Sequence, residues 1–324
     1  MIEYYPFELH THTIHSDGGM TPRTLVEKSL ERGLCGIAIT DHNTISAVDE
    51  VVRIGKDKGL TVIKGIEWTT FHGHFTLLGG NSKVDWRDIT MENINEKIRE
   101  AVEAGDIVNI AHPKRAGSPF CTGCYMEYPI KDMRLITGFE VWSNHKPSYN
   151  LTNKNALKEY DRLSAEGYNL ACIYGDDWHN AKDNLKQYAI TYLGIEGEVN
   201  AENALIALRK RRSYISTGIK LRLTLEADGK VYHLGDRINA DIINIKGTID
   251  DSGSYCRERA VSADKAVLAG SALREESVCS IKDNAFEIYG INVGEGYLRM
   301  EIHGMIEGDY TVLLITSAVF KESL

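Results

Sequence analysis

Imidazoles and carboxylates recur at one kind of position along this chain. His10 and His12 close an apolar run of β type, and Asp17 follows in a Ser-Asp-Gly turn. Asp41-His42, Glu67, His74, His112 and the stretch Asp176-Asp177-Trp178-His179 come later, nearly all just after a short apolar run. Strand ends on one face of an α/β barrel converge in space even when they are far apart in sequence. Histidine mixed with carboxylate is a ligand set for Zn, Mn or Fe, not for a Cys-rich structural zinc knot. The chemistry these residues point to is hydrolysis assisted by several metals, with phosphate esters as substrates.

Each motif also has an ordinary reading. Period-two geometry turns His10 and His12 to one side of a strand, but chance histidines do the same. Asp17 fits turn chemistry, His42 a satisfied loop histidine, and Glu67 a surface acid. What carries weight is the repetition of one rule, an acid or imidazole at a strand's carboxyl end.

The elements that would position these groups alternate. Strand signals cover 7–10, 35–40, 61–67, 75–78, 107–111, 138–142, 170–174 and 188–193. Amphipathic helices lie between several of them. Thr21-Pro22 opens one that Gly33 stops; others end near Gly59, Gly105 and Gly167, and a last spans 200–212. Such alternation predicts an α/β fold with mostly parallel strands. Beyond Gly218 the pattern changes to short β runs separated by Gly, Asp and Asn, which predicts a small antiparallel sandwich. The expected units are 1–219 and 220–324. Residues 250–284 are polar with an Ala/Leu-rich middle and give no clear period.

The 324 residues are 43% hydrophobic and 26% charged, the balance of a soluble globular chain with room for two units. No apolar run approaches a membrane span, and no basic-then-apolar leader opens the chain, so the cytoplasm is the expected compartment. A net charge of −9 with no basic stripe argues against long nucleic acid as a partner. The cluster Arg209-Lys210-Arg211-Arg212 reads as a solvated helix face. Of six cysteines, Cys35 and Cys172 read as buried small hydrophobes. Cys121 and Cys124 form a lone CxxC, expected to be a loop thiol pair beside the site.

The motifs HTHTIHSDG, TDHNT, GIEWT, HFTLLGG, AHP and GDDWH, in this order over residues 5–219, resemble the PHP (polymerase and histidinol phosphatase) family of metal-dependent phosphoesterases. The RSYISTG segment at 212–218 resembles the link that follows that domain. The resemblance implies a distorted (β/α)7 barrel with a centre of two or three divalent ions (Mn, Fe or Zn) at the strand carboxyl ends. It assigns His10, His12, Glu67 and Asp177 to a first ion. Glu67 would bridge to a second, held also by His112 and His74, with His72 as a rival for His74. Asp17, His42 and His179 would hold a third. Asp41, Glu140 and Asp176 are expected to support ligands rather than to be ligands, and His15 to be a polar neighbour. The implied nucleophile is a metal-bound hydroxide. Lys114 and Arg115 are placed to grip phosphoryl oxygens, and His145 or a bound water to protonate the leaving group. The expected substrate is a small phosphate ester, for instance a nucleotide. The alternatives are a nuclease-type phosphodiesterase and a non-catalytic metal- or ligand-binding protein. Self-association through the C-terminal unit is a further expectation.

Overall fold

The computed structural model describes residues 2–81, 83–117, 124–181, 188–252, 260–273, 275 and 277–322. Its first part runs β1 (Ile2–Thr11), α1 (Pro22–Glu31), β2 (Gly36–Ile39), α2 (Val48–Lys58), β3 (Thr61–Thr70), β4 (Gly73–Leu78), α3 (Ile94–Glu103), β5 (Ile107–Ile110), β6 (Gly138–Ser143), α4 (Leu151–Ala165), β7 (Ala171–Gly175), β8 (Ile190–Glu196), α5 (Ala201–Arg209) and β9 (Ser213–Ser216). The helix starts follow the capping signals. Thr21 Oγ1 accepts the Thr24 N–H at 3.1 Å with Pro22 in the first turn. Asn150 caps α4, whose first turn carries only the exposed Leu151 as an apolar residue, so the helix begins earlier than its periodic part.

Neighbouring strands follow the order β9-β8-β1-β2-β3-β4-β5-β6-β7. β1, β2 and β3 are parallel, as are β5, β6 and β7. The expectation of mostly parallel strands needs correction at β4, which runs against both β3 and β5. The link between β3 and β4 is too short for a crossover, so it must be a hairpin. β8 is also antiparallel to β1. Beyond β7, Thr11 and Trp178 form a parallel bridge back to β1.

The remaining chain is strand-rich: β10 (Lys220–Ala227), β11 (Lys230–Tyr232), β12 (Arg237–Ile238), β13 (Ile242–Asp250), β14 (Val261–Ala269), β15 (Ser277–Ser280), β16 (Ala285–Asn292), β17 (Tyr297–Ile306), β18 (Asp309–Thr316) and β19 (Val319–Lys321). The Ala/Leu-rich stretch is thus largely strand β14, paired along β17. Antiparallel pairing of β18 with β9 carries the first sheet into this region, while β11, β10, β13 and β16 make a second sheet. Phe7, Leu9, Ala38, Ile63 and Ile173 are buried in a cluster that also takes in Ala204 and Leu208 of α5. A second cluster joins α3 and α4 to β5–β7 and takes in Tyr297 and Phe320. A third runs from Tyr4 and Tyr214 into Ile243, Ile245 and Leu298. No helix among the described residues is long and apolar enough to cross a membrane.

Candidate metal centre

Strand periodicity assembles the site. Glu8 and His10 share one face of β1, with His12 just past its end. Glu67 of β3 lies opposite Thr76, and Thr69 opposite His74, so Glu67 and His74 are diagonal neighbours on one face of the hairpin. His74 Nδ1 lies 3.0 Å from Glu67 Oε1. His72 stays in the turn, 3.1 Å from Glu127. His42, His112 and Asp177 follow β2, β5 and β7. His112 (φ +26°) and Asp177 (φ +56°), like Asn43 (φ +54°), adopt a left-handed backbone that L-residues resist, as is common where a side chain must be aimed.

Three groups of side chains result, each offering ligand atoms within 4.8 Å of one another: His10, His12, Glu67 and Asp177; Glu67, His74 and His112; and His12, Asp17, His42 and His179. Glu67 joins the first two and His12 the first and third. The first two are buried except for partly exposed Asp177, whereas Asp17 is 60% exposed at the mouth of the third. In the first group His10 Nε2 is 3.2 Å from Glu67 Oε2, and His12 Nε2 is 3.0 Å from Asp177 Oδ1. In the third, His179 Nε2 lies 3.0 Å from Asp17 Oδ1.

The electrostatics follow from crowding. Burial alone would lower the His10 imidazole, but Glu67, Glu140 and Asp177 push it well above its ordinary value. Burial would raise Glu67 and Asp177, yet the imidazoles around both, with Arg115 beside Asp177, hold them well below the carboxylate range. His42, against Asp17 and Glu67, is pushed up to about 10 despite its partial burial. His10 Nε2, His12 Nε2, Glu67 Oε2 and Asp177 Oδ1 are buried and face one another at 3.0–3.5 Å, but none makes a well-aligned hydrogen bond among the described residues. Buried polar atoms left unpaired are costly. Four that converge, of metal-ligand type, fit a divalent cation.

The supporting residues are also in place. Glu140 Oε1 lies 2.8 Å from His10 Nδ1, and Oε2 accepts the His112 N–H at 2.6 Å. Asp41 accepts from the Thr13 N–H, the Thr13 hydroxyl and the Ser16 hydroxyl at 2.6–2.7 Å, which fixes the loop leading to Asp17. Arg115 donates to Asp177 Oδ2 and, at 2.9 Å, to Ser143 Oγ. Lys114 instead pairs with Glu159 at 3.8 Å, and His15 reaches Ser46 at 2.8 Å. His145 is exposed and lies 2.6 Å from Asn144 Oδ1; no contact among the described residues joins it to the three groups. Two buried residues escaped the sequence reading. Glu8 Oε1 accepts both the His10 and the Asp176 N–H, and Arg32 pairs with Asp176. For Glu8 the signal was present, since Glu8, His10 and His12 share one two-residue period. Cys124 is buried and disulfide-bonded, which corrects the expected free thiol; Cys121 lies outside the described residues. Cys35 is only half-buried, whereas Cys172 is buried as expected.

Several known proteins resemble this chain in sequence or fold. A two-domain protein from Bacteroides vulgatus, described as containing a predicted PHP-like metal-dependent phosphoesterase, aligns over 98% of this chain and 95% of its own, with a TM-score of 0.56 and 17% identity, a likeness of fold. An uncharacterized protein of Methanocaldococcus jannaschii is 30% identical over 178 residues, 52% of this chain and 96% of that protein. The 5'-3' exoribonuclease of Haemophilus influenzae is 36% identical over 64 residues, 20% of this chain. The match spans only 23% of that exoribonuclease's length. A 3',5'-nucleoside bisphosphate phosphatase of Chromobacterium violaceum is 27% identical over 70 residues, 25% of its length. The PHP domain family matches residues 8–228, and the chain belongs to that family.

Proposed function

We propose that this protein hydrolyses the ester bond of a small phosphate ester, for instance a nucleotide, at two or three divalent ions held by His10, His12, Asp17, His42, Glu67, His74, His112, Asp177 and His179. The observation that carries the reading is the convergence of four buried ligand-type atoms, crowded within 3.5 Å of their neighbours without well-aligned hydrogen bonds among the described residues, inside three overlapping ligand groups. Bound ions would activate water near neutral pH and offset charge on phosphoryl oxygens. The chain's own residues do the rest. Glu140 orients His10 and His112, and Asp41 holds the Asp17 loop. Arg115 engages one oxygen of Asp177 and leaves the other turned towards His10 and His12. Its guanidinium adds positive charge where a phosphate would sit. The structural reading that accompanies this is a distorted barrel over β1–β7, supported by the Thr11–Trp178 bridge. It ends near residue 219, and the later strands pack as a sandwich.

Metal content by mass spectrometry, measured with p-nitrophenyl phosphate turnover in added Mn, tests the proposal. The expected result is two or three ions per chain with turnover, and loss of both in Asp177→Ala or His10→Ala with the fold retained. Wild-type turnover in either variant would remove that residue from the centre, and a chain that takes up no ion under any loading overturns the proposal. Arg115→Ala is expected to raise KM about tenfold or more, a larger change than in metal content; an unchanged KM removes Arg115 from the substrate. The proton for the leaving group would come from His145 or from a bound water, and substitution of His145 separates the two. If His145 is the donor, His145→Ala slows hydrolysis of alkyl phosphates but not of p-nitrophenyl phosphate, whose leaving group needs no proton. Equal effects on both substrates would refute that role. The exoribonuclease relatives favour a second reading, cleavage of oligonucleotides. Release of mononucleotides from short RNA, faster than monoester hydrolysis, would select it.

A further inference from the structure

We propose that Arg32 is a positioning residue of the metal centre, acting through Asp176 and Trp178 on the two ligands that flank Trp178. The proposal rests on the metal-centre reading above. Arg32 follows the last turn of α1, is only 4% exposed, and is not a member of any of the three ligand groups. Its Nη1 donates to Asp176 Oδ2 at 2.7 Å. Its guanidinium carbon lies 3.3 Å from the centre of the Trp178 ring, with the Tyr188 ring 5.1 Å away. One side chain therefore grips the residues on both sides of Asp177, whose backbone is left-handed. Trp178 is in turn tied to β1: its N–H donates to His10 O, and its carbonyl accepts the His12 N–H, both at 3.0 Å. Glu8 closes the same seam, with one carboxylate oxygen accepting the N–H groups of His10 and Asp176 at 2.9 and 3.0 Å. Asp177 and His179 are thereby held in fixed relation to His10 and His12, across the first and third groups. A buried ion pair contributes little to stability that well-packed apolar side chains could not supply. What a planar, charged and stacking group adds here is geometry.

Residues that orient ligands typically cost 10–100-fold in metal affinity when removed. The test is the Mn dissociation constant of the full chain by equilibrium dialysis, with the melting temperature of the metal-free protein measured beside it. Arg32→Met is expected to weaken Mn binding about tenfold or more. Arg32→Lys keeps the charge but not the flat stacking face, and is expected to weaken it about threefold or more. A purely structural role would lower the metal-free melting temperature and leave Mn affinity unchanged in whichever variant folds, and that result overturns the proposal. Should Arg32→Met fail to fold, Arg32→Lys decides alone, and wild-type affinity in it is equally fatal. Failure of the wild-type chain to bind Mn is a different result, which overturns the metal-centre reading and this inference with it.

Discussion

At the scale of single residues, the centre depends on atoms that are not ligands. Gly175 ends β7 directly against Glu140, and a Cβ there would lie 2.1 Å from Glu140 Oε1 and 2.5 Å from its Cδ. Glu140 cannot yield without releasing His10 Nδ1 or the His112 N–H. Gly175→Ala is therefore expected to lower metal affinity about tenfold, as Glu140→Gln would, although every proposed ligand is intact. Metal binding at the wild-type level in Gly175→Ala would show that Glu140 has room to move. The ligand types themselves were legible because each lies at a strand's carboxyl end, and the HTH pair and DWH triplet repeat the two-residue period. Arg32 was not legible, because a residue after a helix's last turn before Gly33 carries no local mark of burial. Its burial is set by Trp178 and Asp176, more than 140 positions away.

At the scale of elements, Asn153 does for α4 what Glu140 does for the ligands. Its side-chain oxygen accepts the Ser143 N–H at 3.2 Å, and its nitrogen donates to Ser143 O at 2.9 Å and Pro147 O at 3.1 Å. The end of β6, where Ser143 meets Arg115, is thus fastened to the first turn of α4. Asn153 is buried, and its removal strands backbone groups away from water. Asn153→Ala is expected to cost about 2–3 kcal/mol by denaturant titration and to raise KM through Arg115; a change under about 0.5 kcal/mol would mean that water replaces the amide. Periodicity placed every helix of the first part, because each has one apolar stripe ended by glycine or a cap. It missed the early start of α4, whose Leu151 is exposed, and the direction of β4. Apolar alternation states which face of a strand is buried and is silent about which way the strand runs. The β14 region was unreadable for a related reason. Only its second half is buried, so its burial follows neither a strand's nor a helix's period throughout.

At the scale of the whole molecule, the C-terminal strands hold part of the frame on which the site is built. Arg299, Glu301 and His303 alternate along β17. Arg299 Nε and Nη2 grip Asp161 of α4 at 2.6 and 2.9 Å, Nη1 donates to Glu301 at 2.5 Å, and Glu301 lies 2.6 Å from His303. Tyr160, next to Asp161, accepts the Ala318 N–H, and Ser317 Oγ accepts the Cys172 N–H of β7. The helix that anchors Ser143 is thus itself anchored from the far end of the chain. Burial alone would raise the Glu301 carboxyl, but His303 and Arg299 hold it down at about 2. A carboxylate whose folded value lies below its unfolded one stabilises the fold above the ordinary carboxylate range, and that contribution disappears as the pH falls through the folded value. The difference in unfolding free energy between wild type and Glu301→Gln should therefore be about 3 kcal/mol at pH 6–7 and shrink steadily between about pH 4.5 and 2. Taking the difference removes the other acids, including those of the metal centre, which titrate in both proteins alike. A difference that stays constant down to pH 2 would show that Glu301 contributes packing rather than charge. The network would then be a neutral seam between α4 and β17, and not an electrostatic clamp on the frame of the site.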